Sequence, residues 1–152
     1  MKKTLSAFDY ACKVLQNSAK TQKELIDKLA KKGFNNETIN ETLLKLKKYD
    51  YINDLKFTEE FIRKHIEAGE GCNLIKHKLI AKGIEDKQFD SAFLNMGLSE
   101  EKQYYFAETV FKKKLSLLKN LPKEKLYIKM GTFLENKGFQ EEIIEKLLSK
   151  IK

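Results

Sequence analysis

Apolar residues recur along this chain at three- and four-residue steps, the spacing of amphipathic helices. The central stretch, residues 51–84 (YINDLKFTEEFIRKHIEAGEGCNLIKHKLIAKGI), reads as two helices joined by a Gly69-Glu70-Gly71 turn. Asn53 and Asp54 open it, and Lys82, Gly83 and Ile84 close it. Phe57 and Phe61 lie one turn apart and share a helix face, as do Ile75 and Leu79. Gly83 stands where a helix ends in a left-handed residue, which costs glycine least.

The pattern around Gly83 occurs three times. Gly33, Gly83 and Gly138 are each preceded by lysine (Lys32, Lys82, Lys137) and followed by an apolar residue (Phe34, Ile84, Phe139). Four residues before each glycine comes Leu29, Leu79 or Leu134; eight before comes Leu25, Ile75 or Met130. Six after comes Ile39, Phe89 or Ile144; ten after comes Leu43, Phe93 or Leu148. These offsets mark core positions on two helices flanking a glycine stop, and fixed periods of this size mark repeat architectures.

A further helix precedes each glycine-terminated one. Phe8, Ala11, Cys12 and Leu15 follow the i, i+3, i+4, i+7 pattern, which breaks over residues 17–20. Thr21 with Glu24 forms a capping box, and Asn36 is the expected N-cap of the third helix. Phe57, Phe61, Ile62 and Ile66 line the next helix, Gly69 and Gly71 interrupt it, and Asp86 is the expected cap of the helix carrying Phe89 and Phe93. Ser99 opens a long helix whose stripe is Tyr104, Ala107, Phe111, Leu115 and Leu118. Pro122 suits the first turn of the following helix, and Gln140 or Glu141 begins the last. The reading is all-α: three tandem three-helix repeats (nine helices) in an elongated, curved body, with repeats at 1–50, 51–98 and 99–152.

Composition narrows the class of partner. The net charge is +8 over 152 residues, and Arg63 is the only arginine. Residues 1–50 carry +5, residues 51–98 carry −1, and residues 99–152 carry +4. Lysines cluster at 28, 31 and 32, at 45, 47 and 48, and at 112–114. A lysine at a helix C-terminus is also favoured by the helix dipole. Clustering over two separated repeats points to an extended polyanion or an acidic protein groove. Cys12 and Cys72 are isolated thiols, implying no disulfide framework and a reducing compartment. Met1-Lys2-Lys3 is followed by no apolar run, so it does not read as a signal peptide, and no stretch suits a membrane span. A cytoplasmic monomer is expected.

No constellation for catalysis stands out. His77, Cys72 and a carboxylate lack zinc-site spacing, and His65 and His77 read as partly exposed helix-surface residues. Gly69-Glu70-Gly71 lacks the third glycine and the preceding strand of a phosphate loop. Asp54, Glu59 and Glu60 read as early-turn acids rather than a catalytic cluster. No enzyme activity, metal or cofactor is therefore expected.

The residues resemble the RecX family, bacterial regulators of the RecA recombinase, over nearly the whole chain. YACKVLQNSAKTQKELIDKLAKKGF is similar to the family's opening pattern, at Tyr10, Ala11, Leu15, Glu24, Leu25, Leu29, Lys32 and Gly33. YINDLKFTEEFI is similar to its most specific segment, at Tyr51, Asn53, Asp54, Phe57 and Phe61, and Gly71, Ile75, Leu79, Lys82, Gly83 and Ile84 continue it. The third repeat carries a weaker match at Leu134, Lys137, Gly138, Phe139 and Ile144. Where many members carry arginine this chain has lysine, and Lys78 replaces a frequent acidic residue. The resemblance implies three helical repeats bound in the groove of the RecA–DNA filament. It implies modulation, usually inhibition, of strand exchange, ATP hydrolysis and coprotease activity in DNA repair, recombination and the SOS response.

Contact candidates chosen on charge and exposure are Lys31, Lys32, Arg63, Lys64, Lys76, Lys112, Lys113 and Lys114. The expected partners are the RecA filament and single- or double-stranded DNA, with no membrane. The alternative is a general DNA-binding module of helix-turn-helix-like units. Against it, Ile39-Asn40-Glu41 and Phe89-Asp90-Ser91 place acids where a groove-reading helix needs bases.

Overall fold

Helix boundaries follow the local capping chemistry. The computed structural model describes residues 4–151, and nine α-helices run through them. These are α1 (Ala7–Asn17), α2 (Gln22–Lys32), α3 (Asn36–Lys48), α4 (Asp54–Glu67), α5 (Cys72–Ala81), α6 (Asp86–Asn95), α7 (Glu100–Leu117), α8 (Lys123–Asn136) and α9 (Glu141–Leu148). No strand occurs among the described residues. Thr21 and Glu24 form the expected reciprocal box at the start of α2. Two caps sit one residue earlier than the sequence pattern suggests. Asn35, not Asn36, caps α3, its Oδ1 accepting the Thr38 N–H at 2.8 Å. Glu85, not Asp86, precedes α6, its N–H donating to Gln88 Oε1 at 2.8 Å. In each case the next residue is helical and supplies polarity to the first turn instead.

The helices pack as three consecutive trios, each around its own apolar cluster. Leu25, Leu29, Ile39, Leu43 and Leu46 centre the first; Ile62, Ile75, Leu79, Ile84 and Phe89 the second; Phe111, Met130, Leu134, Ile144 and Leu147 the third. The residues eight and four before each glycine, Leu25, Ile75, Met130, Leu29, Leu79 and Leu134, have no solvent exposure at all. Burying a side chain of this size contributes about 1.5–3 kcal/mol, so these six anchor their trios. Small separate cores leave an extended body: its accessible surface is 10512 Å2, against about 8,000 Å2 for a compact chain of this mass.

The trios are joined at their glycine corners. The Thr21 hydroxyl, at the start of α2, donates to the Lys82 carbonyl at 2.5 Å, and Lys82 Nζ lies 3.4 Å from Glu24 Oε2. The Gln22 N–H donates to Asp54 Oδ1 at 2.9 Å. One repeat further on, the Gly71 N–H donates to the Lys137 carbonyl at 2.6 Å and the Asn73 N–H to the Gly138 carbonyl at 2.9 Å. The start of one trio's middle helix thus receives the lysine-glycine corner of the next. Gly71 is required for closeness, since a methyl there would run into the Gly138 backbone.

Candidate functional site

Two grooves open beside the joints. The larger, about 600 Å3, lies between the first two trios, with Lys20, Tyr51, Lys56, Glu60, Phe61 and Lys64 on its walls. Asp50 stands in a left-handed conformation (φ 56°) and holds Lys56 Nζ at 2.6 Å. The Lys56 hydrogen bond, then that of Asn53, lowers the Asp50 carboxyl below its ordinary pKa. Lys20 and Lys64 have no carboxylate partner among the described residues, so their charge remains open. The second groove, about 460 Å3, lies between the end of α4 and the α7–α8 pair. Tyr105, Thr109, Lys113 and Leu117 recur every fourth residue along α7 and stack into one stripe beside it. Tyr105 and Leu117 stay 64% and 73% exposed, so this stripe is apolar, basic and accessible together. Lys114 and Lys137 place their ammonium groups 5.0 and 5.8 Å from the centre of the Phe133 ring. The ring holds both charges in a groove whose walls include one acid, Glu67.

The candidate cations divide by what they already touch. Arg63 donates to Glu60 at 2.9 Å, Lys112 lies 2.6 Å from Glu108, and Lys76 lies 3.7 and 3.8 Å from Asp86 and Asp90. The hydrogen bond from Lys112 holds the Glu108 carboxyl below its ordinary pKa, so Glu108 stays ionised beside its lysine. Lys31, Lys32, Lys64, Lys113 and Lys114 have no carboxylate partner among the described residues. Lys31 and Lys32 sit apart from both grooves, on the exposed end of α2. The structure therefore brings Lys113 and Lys114 into one groove, puts Lys64 in the other, and leaves Arg63, Lys76 and Lys112 engaged by neighbouring acids.

Charge runs did not single out Lys137 or Lys20 as groove residues. Lys137 belongs to the repeated lysine-glycine corner, and its second role appears only once α7 is packed beside α8. Tyr49 and Tyr51, both more than half exposed, form an aromatic cluster with Phe8, and Lys45 stands 4.3 Å over the Phe8 ring.

His65 is partly exposed on α4, as expected, and is engaged on both sides. Its ring stacks on Phe61 at 3.9 Å, and its Nδ1 lies 2.7 Å from Glu70 Oε2. Lys78 donates to the other Glu70 oxygen at 2.6 Å. Burial pushes the Glu70 carboxyl upward, but hydrogen bonds from Lys78 and His65 outweigh it and hold the pKa below the usual value. His77 is exposed, as expected. Burial raises the Cys72 thiol, so it is not an activated nucleophile. Among the described residues no three His, Cys, Asp or Glu side chains converge on a metal-sized site. Nor is any described helix long and apolar enough to cross a membrane.

Comparison with known proteins bears on the fold. A family model described as RecX, first three-helix domain, matches residues 7–46. The chain is 35% identical over 142 residues to the regulatory protein RecX of Clostridium tetani, covering 93% of this chain and 65% of that protein. It is 31% identical over 143 residues to the regulatory protein RecX of Caldanaerobacter subterraneus subsp. tengcongensis, covering 94% and 69%. The chain thus spans about two thirds of the length of these relatives. Among solved structures, RecX from Lactobacillus salivarius superposes with a TM-score of 0.83 at 25% identity, over 95% of this chain and 94% of that one. A crystal structure of another regulatory protein RecX gives 0.81 at 23% identity, over 95% and 72%, and shares the fold.

Proposed function

The chain belongs to the RecX family of regulatory proteins, and from that membership we propose that it binds the filament formed by the RecA recombinase on DNA. The protein lies in the groove of the filament and inhibits the recombinase, slowing strand exchange and ATP hydrolysis in DNA repair and recombination. It acts as a cytoplasmic monomer, not as an enzyme, and its repeats span residues 1–50, 51–98 and 99–152. An extended body occupying the groove competes with an incoming duplex and with added recombinase subunits for the same space.

One observation carries this reading. Three of the candidate cations without carboxylate partners among the described residues lie in two separated grooves along an extended body, Lys64 in one and Lys113 and Lys114 in the other. A single compact anion cannot use both. A repeating acidic surface or a phosphate chain can, with electrostatics setting the rate and register of docking. Lysine is a compact point charge, which suits phosphates and mixed acidic surfaces better than bidentate base reading.

The test is RecA's DNA-dependent ATPase and filament length, measured with and without this protein. Slower hydrolysis and shorter or slower-growing filaments are expected. Tight binding to naked duplex with a steep salt dependence and no effect on RecA would replace this reading with the general DNA-binding module.

A further inference from the structure

We propose that the groove between the end of α4 and the α7–α8 pair takes a short acidic segment of a protein partner, one that carries an apolar side chain among its carboxylates. This deepens the filament reading by naming what one groove takes, and it rests on that reading only for which protein supplies the segment.

The walls call for the apolar half of that chemistry. Ile66, Phe106, Val110 and Phe133 line the groove and are only partly buried, so their outer faces form an apolar floor. Tyr105 and Leu117 stand exposed at the two ends of the α7 stripe. An aliphatic or aromatic side chain laid on this floor removes apolar surface from water on both partners. A phosphate chain does not, because its charged groups would lose water against carbon and gain no hydrogen bond there.

The cations call for the acidic half. Lys113, Lys114 and Lys137 face a single acid in the groove, Glu67, and have no carboxylate partner among the described residues. Three lysines against one glutamate leave an excess of two positive charges beside the floor, which two carboxylates balance. The rings here are poorly placed to stack on nucleobases. Lys114 and Lys137 already stand 5.0 and 5.8 Å from the centre of the Phe133 ring. Phe106 is partly buried and meets Tyr105 edge-on at 6.0 Å. That leaves Tyr105 as the one exposed ring of the groove, whereas a base-binding path offers successive open rings. From Tyr105 to Leu117 the stripe runs about 18 Å along α7, the reach of about five extended residues. Floor, charge and length thus match one short peptide segment.

The probe is a blocked hexapeptide, EDWLDE, titrated into the full chain. The chain has no tryptophan, so the peptide's indole reports its own burial. A saturable blue shift of its emission is expected, with amide shifts in the nitrogen-15-labelled chain at Gly69, Tyr105, Thr109 and Lys113. A peptide of equal charge without the anchors, EDASDE, should bind at least about tenfold more weakly. Lys113→Gln and Leu117→Ser change exposed side chains, and each should weaken EDWLDE by at least about threefold. Lys112→Gln, whose lysine is held by Glu108, should leave it unchanged. No saturable binding, equal binding of EDASDE, or an equal loss in Lys112→Gln would overturn the proposal. So would hexathymidylate moving the same amides more strongly at equal concentration, which would make the groove a nucleic-acid site. Slowed RecA ATPase without peptide binding would sink this inference and leave the filament reading standing. Peptide binding at these amides with no effect on RecA would do the reverse.

Discussion

One methyl group distinguishes the three corner glycines. All three are left-handed, so alanine costs roughly 1–2 kcal/mol of backbone strain at any of them. At Gly33 nothing is added, because the methyl points into open space. At Gly138 the methyl meets the Leu74 backbone, which cannot swing aside as a flexible side chain can. Overpacking of that kind adds about 1–3 kcal/mol. Urea denaturation should therefore rank Gly138→Ala well below Gly33→Ala, and equal values would show that the joint contributes nothing. A second residue-scale prediction concerns Glu70. Its carboxyl titrates lower in the folded chain than the ordinary 4.5, so it stabilises the fold above that pH and loses the contribution as pH falls through its folded value. Glu70→Gln should lower the melting temperature at neutral pH and flatten its decline below pH 4.5. An unchanged acid limb would mean that the Lys78 and His65 contacts do not persist in solution.

Helices were legible wherever one demand dominated. The register around Gly33, Gly83 and Gly138 identified Leu25, Ile75 and Met130 as core because a buried position next to a glycine stop accepts little else. Caps were legible only to within a residue: Asn35 and Asn36 are both competent, and backbone geometry chose between them. The Glu70 bridge was not legible at all, since long side chains eight residues apart have many possible partners until a turn brings Lys78 and His65 to one carboxylate. The candidate lysines were legible as charge and illegible as availability, because sequence does not say that Glu108 takes Lys112 while Lys113 stays open. Thr21 tests the element scale directly. It caps α2 and ties it to the next trio, whereas Ser99 only caps α7. Thr21→Val should cost about 2 kcal/mol, near the upper end for a cap, and Ser99→Ala about 1 kcal/mol, both read from thermal or urea unfolding. Equal losses would make the hydroxyl's bond to Lys82 energetically silent.

At the scale of the molecule, three small cores in a row expose surface that a single core would hide, and the joints set how the grooves face a partner. Binding by such a body depends on which charges remain available along it, and adjacent residues supply the control. Neutralising Lys112, Lys113 or Lys114 to glutamine removes the same unit of net charge, so the distant field changes equally in each case. Contact does not change equally. Lys112 is already held by Glu108, while Lys113 and Lys114 enter the groove beside Phe133 without a carboxylate partner among the described residues. Lys113→Gln and Lys114→Gln, each made alone, should therefore weaken filament binding by about fivefold at moderate salt, and Lys112→Gln by less than about twofold. On α4, Lys64→Gln should likewise exceed Arg63→Gln, since Glu60 already engages the arginine. If the paired and unpaired lysines lose affinity alike, only the overall positive field steers this protein, and the grooves do not hold its partner.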